Sequence, residues 1–186
     1  PWTYSLTWGF LGDDRVVENA RHLAFRVAFR PFQSLEIGLS RAAIWCGSGR
    51  PCDADAVWDI IIGEDNTDEG GVTPDNDPSN QLAAIDGRWL SPIGDGPWAI
   101  YTQWVANDET NNLPSQWFGQ GGVEWWGDLN TRWISGSYTA HVEVTSTLAE
   151  FWESDPAYDL AYNHGTYQTG YRYTGRSIGA AADGDS

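Results

Sequence analysis

The sequence predicts an all-β protein, an antiparallel up-and-down transmembrane β-barrel of which this chain supplies a partial barrel of about eight strands with long outer loops. Three observations predict it. Large apolar residues alternate with small or polar ones over stretches of roughly 9–11 residues, the length a tilted membrane strand needs. The links between these stretches alternate between short and long. The apolar content is unusually aromatic, with 12 Trp, 8 Tyr and 6 Phe. Rings gather toward the ends of stretches, as at Trp2, Trp45, Trp89 and Trp98, where a membrane interface favours their amphipathic character.

The first element, residues 2–10, sets Trp2, Tyr4, Leu6, Trp8 and Phe10 on one face and Thr3, Ser5, Thr7 and Gly9 on the other. Residues 23–30 repeat the pattern, with Leu23, Phe25, Val27 and Phe29 opposite Ala24, Arg26, Ala28 and Arg30. Two arginines on one face call for a polar interior. Residues 35–45 oppose Leu35, Ile37 and Leu39 to Glu36, Gly38 and Ser40, after which Arg41 falls on the apolar face and calls for a bulge or a place near the rim. Further strands are predicted at 81–90, 98–106, 120–126, 137–145 and 167–176. In the last two, Tyr138, Ala140, Val142 and Val144 oppose Thr139, His141, Glu143 and Thr145, and Tyr167, Thr169, Tyr171 and Tyr173 oppose Gln168, Gly170, Arg172 and Thr174.

Short links are predicted at 31–34, 91–97 and 127–136, and long ones at 12–21, 46–80, 107–119 and 146–166. An up-and-down membrane barrel shows this rhythm because its periplasmic turns are tight and its outer loops extended. The longest link carries a predicted helix over 53–62 with Asp53 placed to cap it. Cys46 and Cys52 bracket a tight loop containing Gly47, Gly49 and Pro51, which suits a disulfide in an oxidising compartment, with two free thiols as the alternative. A zinc pair lacks accompanying ligands at metal spacing. No linker divides the chain, which reads as one segment over 1–186. It begins within a strand, without Met or signal peptide, and so reads as a piece of a larger barrel.

A soluble β-sandwich would also alternate. Its core, however, could not hold the charges on the inner face, Arg26, Arg30, Glu36, Asp86, Arg88, Glu124, Glu143 and Arg172, since unpaired charges there cost several kcal/mol each. Their mixed signs predict mutual pairing that braces the lumen and weighs against a wide pore, with a selective channel as the alternative. No stretch approaches the ~18 consecutive apolar residues of a spanning helix. The formal net charge of -16, from 26 acidic and 10 basic residues, lacks the basic footprint of a nucleic-acid binder.

Four segments, SLEIGLSRAAIWCGSGRPCDADAVWDIIIGEDN, NQLAAIDGRW, LPSQWFGQGGVEWWG and AYNHGTYQTGYRYTGRSIGAAADGDS, together resemble the capsule assembly protein Wzi family. The resemblance runs in order over nearly the whole chain. It implies an outer-membrane barrel of about eighteen strands with a periplasmic helical part, acting as a lectin that holds capsular or extracellular polysaccharide at the cell surface. This chain then corresponds to an internal portion, which leaves open sheet edges and cannot form the complete barrel alone. The partners implied are polysaccharide and outer-membrane lipid.

Sugar recognition needs aromatic rings for stacking and short polar side chains for hydroxyls. The outer loops offer Trp58, Asp59, Asp65 and Asn66, then Asn111, Asn112 and Trp117, then Trp152, Tyr158, Tyr162, Asn163 and His164. Many capsules are polyanions, which acidic loops repel within a Debye length of ~8 Å. A bridging Ca²⁺ among Glu64, Asp65, Asp68, Glu69, Asp75 and Asp77 would compensate, although their spacing matches no EF-hand and a solvated acidic loop is the simpler account. No resident cofactor is predicted. Among enzymatic signals, only Glu124 and Glu143 could form a glycosidase pair, and carboxylates occur in any braced lumen. The prediction is a binding protein, not an enzyme.

Overall fold

The computed structural model describes residues 1–63, 77–110 and 113–179. Seven strands form one antiparallel sheet in chain order. They are β1 (Trp2–Phe10), β2 (Arg21–Phe32), β3 (Leu35–Trp45), β4 (Ser79–Leu90), β5 (Trp98–Thr110), β6 (Leu113–Asn130) and β7 (Ser135–Ser146). A helix, α1 (Ala54–Ile62), lies between β3 and β4, and a two-residue pair, β8 (Arg172–Tyr173) and β9 (Arg176–Ser177), follows β7. The strictly sequential order is that of an up-and-down barrel wall.

Alternation decides which face each side chain takes. On the outer face lie Leu6, Phe25, Leu39, Ile85, Ile100, Val123 and Val142, joined across the strands by the pairings Leu6↔Phe25, Leu39↔Ile85 and Val123↔Val142. Leu39, on a central strand, is 54% exposed and Ile85 43%. Among the described residues no second sheet covers this face, so the sandwich alternative fails at the step that would bury it. The 11 residues of β3 span about 33 Å along the strand, which a tilt of about 40° shortens to about 25 Å, the height of an outer-membrane apolar band. Aromatic residues mark both edges. Trp2 stacks near Phe29 at one end and Trp98 pairs with Trp125; at the other, Trp8 meets Trp45 edge-on at 5.4 Å.

Seven of the expected strands form, several of them longer than expected. Of residues 107–119, expected as a long loop, the described 107–110 and 113–119 instead extend β5 and β6, with Asp108 opposite Ser115 and Thr110 opposite Leu113. Pairing likewise carries β6 to Asn130, which leaves only a tight turn at 131–134, closed by Thr131 N–H donating to the Ile134 carbonyl at 2.8 Å. Arg41 needs no bulge, because β3 keeps register with β4 from Leu35 to Trp45. Nor does it lie at the rim: it sits one residue past the midpoint of β3 on the apolar face, where its Nε donates to Gln81 Oε1 at 2.9 Å.

The eighth strand, expected over 167–176, does not form. Gly170 has φ 58°, and a Cβ there would lie 1.5 Å from the Tyr162 carbonyl oxygen, so the chain turns where a strand would run straight. Thr174 and Gly175 are also left-handed, with φ 47° and 75°. The tyrosine alternation that mimics a strand serves burial instead. Tyr167 and Tyr171 pack with Leu11, Val17, Ile44 and Phe118 in a core on the inner side of the sheet. The loop after β7 thus folds back into the outer mouth of the half-barrel as a plug.

The loop between β1 and β2 closes beside the plug. Arg15 donates to the carbonyls of Gly170 at 3.0 Å and Arg172 at 3.2 Å. Burial lowers the pKa of this guanidinium, opposed by nearby Asp14. Helix α1 starts where expected: Asp53 caps it, its side chain accepting from Ala56 N–H at 3.0 Å, and Gly63 ends it in the left-handed conformation. The disulfide between Cys46 and Cys52 forms. It joins the residue after β3 to the residue before the cap, and so pins α1 to the barrel wall.

Candidate functional site

Below the plug the inner face carries a ladder of paired charges. Arg26 grips Asp86 through two bonds, Nε to Oδ2 at 2.9 Å and NH2 to Oδ1 at 2.5 Å. The same NH2 reaches Glu36 at 3.2 Å, and Arg30 Nε holds the other Glu36 oxygen at 2.9 Å. Such two-pronged guanidinium–carboxylate contacts are the strongest of the ion pairs. Gly38 leaves the room they need, since a Cβ there would stand 2.3 Å from Asp86 Oδ2. Arg88 pairs with Glu124, and Tyr101 donates to Glu143 at 3.0 Å. The expected network therefore forms, with one correction. Arg172 is not part of it: it lies in the short β8 of the plug and not in an eighth barrel strand, and its guanidinium instead braces the plug, donating to Asn163 Oδ1 at 2.7 Å and to the Tyr162 carbonyl at 3.2 Å.

Between ladder and plug lies a cavity of about 300 Å³ whose lining includes Ser5, Ser40, Gln103, Gln120, Thr145 and Tyr162. A second space of about 340 Å³ continues along the ladder. Apart from Tyr162, these hydroxyls and amides come from five strands, β1, β3, β5, β6 and β7, and each occupies an inner position that alternation dictates. Apolar side chains, Leu82, Val105, Phe118 and Ile178 among them, make up most of the wall, and the neutral donors and acceptors scattered among them beside an aromatic ring suit the apolar faces and hydroxyls of a sugar.

Hydrogen bonds fix the plug above this cavity. Tyr171 OH donates to the Asn80 carbonyl at 2.8 Å and Tyr167 OH to the Pro78 carbonyl at 3.0 Å. Burial pushes both phenols well above their ordinary pKa, and for Tyr167 nearby Asp77 adds to the rise. They stay neutral donors. His164 Nδ1 accepts from the Thr166 and Tyr167 N–H groups at 3.3 and 3.2 Å, which leaves Nε2 facing Asp77 Oδ2 at 3.6 Å.

The structure disperses the residues expected to bind sugar. Trp58 and Asp59 lie on α1, outside the barrel wall. Trp117 is on β6, opposite Ala106. Trp152 packs edge-on against Trp104, 5.8 Å between centroids, on the outer face. Tyr158 is 63% exposed. Only Tyr162, Asn163 and His164 come together, within the plug, where Tyr162 is 7% exposed and Asn163 Nδ2 donates to the Asp159 carbonyl at 3.1 Å. Asp65, Asn66, Asn111 and Asn112 lie outside the described residues, as do Glu64, Asp68, Glu69 and Asp75 of the acidic set considered for Ca²⁺. Asp77, the described member, accepts from Ser79 N–H at 3.3 Å. The cavity-lining residues Ser5, Ser40, Gln103, Gln120 and Thr145 escaped the loop-based search, although the period-2 pattern had already placed Ser5, Ser40 and Thr145 on the polar face.

A membrane-spanning half-barrel with a charge-braced, plugged lumen defines this chain as part of an outer-membrane β-barrel. The model of the family described as capsule assembly protein Wzi matches residues 1–186. The chain belongs to that family. It is 35% identical over 149 residues, 78% of its length, to a 55.8 kDa protein from the cps region of Klebsiella pneumoniae. It also aligns over its full length, at 29% identity and a TM-score of 0.76, with Wzi of Escherichia coli, described as an outer-membrane protein involved in group 1 capsule assembly and a carbohydrate-binding β-barrel. The chain spans 29% of the first relative and 36% of the second.

Proposed function

We propose that the protein retains capsular polysaccharide at the bacterial surface by non-covalent contact, and that the cavity beneath the plug takes part of the glycan. The carrying observation is the lining itself: Ser5, Ser40, Gln103, Gln120 and Thr145 meet the Tyr162 ring in one cavity. The carboxylates below are already paired, so a sugar entering there meets apolar surface, scattered neutral hydrogen-bonding groups and the edges of Arg26 and Arg41, and is spared the repulsion an acidic loop surface exerts on a polyanion. The Escherichia coli relative is described as carbohydrate-binding, which supports the same ligand class here.

Binding without bond cleavage is the reading that the pairing of the carboxylates supports: Glu124 is held by Arg88 and Glu143 accepts from Tyr101, so both already have partners within the lumen. The reading invokes neither a resident metal nor a cofactor. Calorimetric titration of the purified protein with capsular oligosaccharide tests it. Gln120→Leu and Thr145→Val should each weaken binding about 3- to 10-fold, the worth of one hydrogen bond, while Tyr158→Ala leaves it unchanged. The converse pattern, loss at Tyr158 with both cavity variants unaffected, would place the glycan on the outer loops.

A further inference from the structure

The outer wall carries a feature that sugar retention does not use. Helix α1 packs on the apolar face of the sheet: Ala56 and Ile60 are buried against Leu23, Ala43 and Trp45. At 100° per residue, the exposed Trp58, Ile61 and Ile62 fall on the side opposite these two. Trp58 is 60% exposed, Ile61 47% and Ile62 48%. Only Asp55 and Asp59 interrupt the apolar circumference, side by side on one narrow edge. A helix apolar on both sides belongs to a protein core or a membrane. This one lies on the outside of a lipid-facing wall, at its outer end.

A cation stands at the same level. Arg21 opens β2 on the outer face, between Phe10 of β1 and Trp45 of β3. Its guanidinium lies 5.9, 5.7 and 5.5 Å from the ring centroids of Trp8, Phe10 and Trp45. Among the described residues no carboxylate pairs with it. Aromatic faces hold the guanidinium plane while leaving its N–H groups free for an anion.

From this arrangement we infer that α1 and Arg21 form a lipid-binding site in the outer leaflet. The Trp58, Ile61 and Ile62 side enters the boundary between acyl chains and headgroups, and Arg21 holds a headgroup phosphate. Continuity with the lipid-facing band identifies the occupant: the helix side and the exposed rings of Trp8 and Phe10 extend the same apolar exterior that β1 to β7 present. The disulfide between Cys46 and Cys52 fixes the helix at this depth.

The test places a nitrobenzoxadiazole label through Ile61→Cys, or through Ile62→Cys should the first variant fail to fold, and a second through Tyr158→Cys on the exposed loop after β7. The protein is reconstituted in phosphatidylcholine vesicles with and without phosphatidic acid. At position 61 or 62, spin-labelled acyl chains should quench the label and aqueous iodide should not, with the reverse at position 158. Spin-labelled phosphatidic acid should exceed spin-labelled phosphatidylcholine as a quencher by about fivefold, the effect of one basic residue at an anionic surface, and Arg21→Gln should remove that excess. Equal iodide access at both positions overturns the lipid-facing helix. Equal quenching by the two lipids overturns the phosphate site. A label response to capsular oligosaccharide in place of lipid would assign this surface to glycan and overturn both.

Discussion

The hydroxyl of Tyr171 donates to the backbone carbonyl of Asn80 at 2.8 Å, joining positions 91 residues apart. This bond ties the loop after β7 to the inner side of β4 and makes the loop a plug. The barrel mouth is closed by a segment whose sequence looks like a strand, and the space beneath becomes a cavity.

Tyr171→Phe removes that donor and leaves a buried carbonyl without it, a loss of about 1–3 kcal/mol. The loss should be local. Hydrogen exchange across residues 160–179 should speed by at least about tenfold, while the heat-modifiable migration typical of a closed barrel stays unchanged.

Arg26→Met strands Asp86 on the inner face and leaves Glu36 with Arg30 alone. The Arg26 side chain is 34% exposed and that of Asp86 19%, so water offsets part of the penalty, and a destabilisation of about 1–3 kcal/mol is expected. Urea unfolding of the protein in micelles would read it as a lower midpoint. Adding Asp86→Asn should recover part of the loss, because the second change removes the stranded charge. Gly38→Val should mimic Arg26→Met by driving a side chain into the same space.

How much of this was legible in the sequence depends on the kind of pattern. Strands β1 to β7 announce themselves because one face must meet lipid and the other a polar lumen, and period-2 alternation records that demand residue by residue. The paired charges follow from the same rule. The plug is illegible by it: Tyr167, Tyr171 and Tyr173 alternate as a strand would, and only the left-handed backbone at Gly170, crowded against Tyr162, and at Gly175 turns the segment into a loop that buries Tyr167 and Tyr171. The candidate site suffered likewise. A search for aromatic and amide residues in long links finds Trp58, Trp117 and Trp152, yet tertiary packing sends all three to the outer face or its rim, while the polar side chains that share a cavity come from five different strands.

Asp53→Ala removes the cap of α1 at a cost of about 1 kcal/mol. Since the disulfide still pins the helix start, the effect should stay within α1 and appear as faster exchange at the Ala56 amide. Reducing the disulfide in the same variant should release the helix and increase protease cleavage between Cys52 and Gly63.

Capsular oligosaccharide incubated with the protein should keep its chain length, with no new reducing ends by a colorimetric assay, and Glu143→Gln should bind it with unchanged affinity. Release of reducing ends that Glu124→Gln or Glu143→Gln abolishes would make the lumen catalytic.

The most direct test of the account is protection of a thiol inside the cavity. Ser40→Cys places one on the inner face and Tyr158→Cys one on the exposed loop; both are reacted with a small maleimide in the folded protein, with and without saturating capsular oligosaccharide. Glycan bound beneath the plug should slow labelling at position 40 by about tenfold or more and leave position 158 unaffected. Full reactivity at position 40 together with protection at position 158 would contradict the lumenal site and move the glycan to the outer surface.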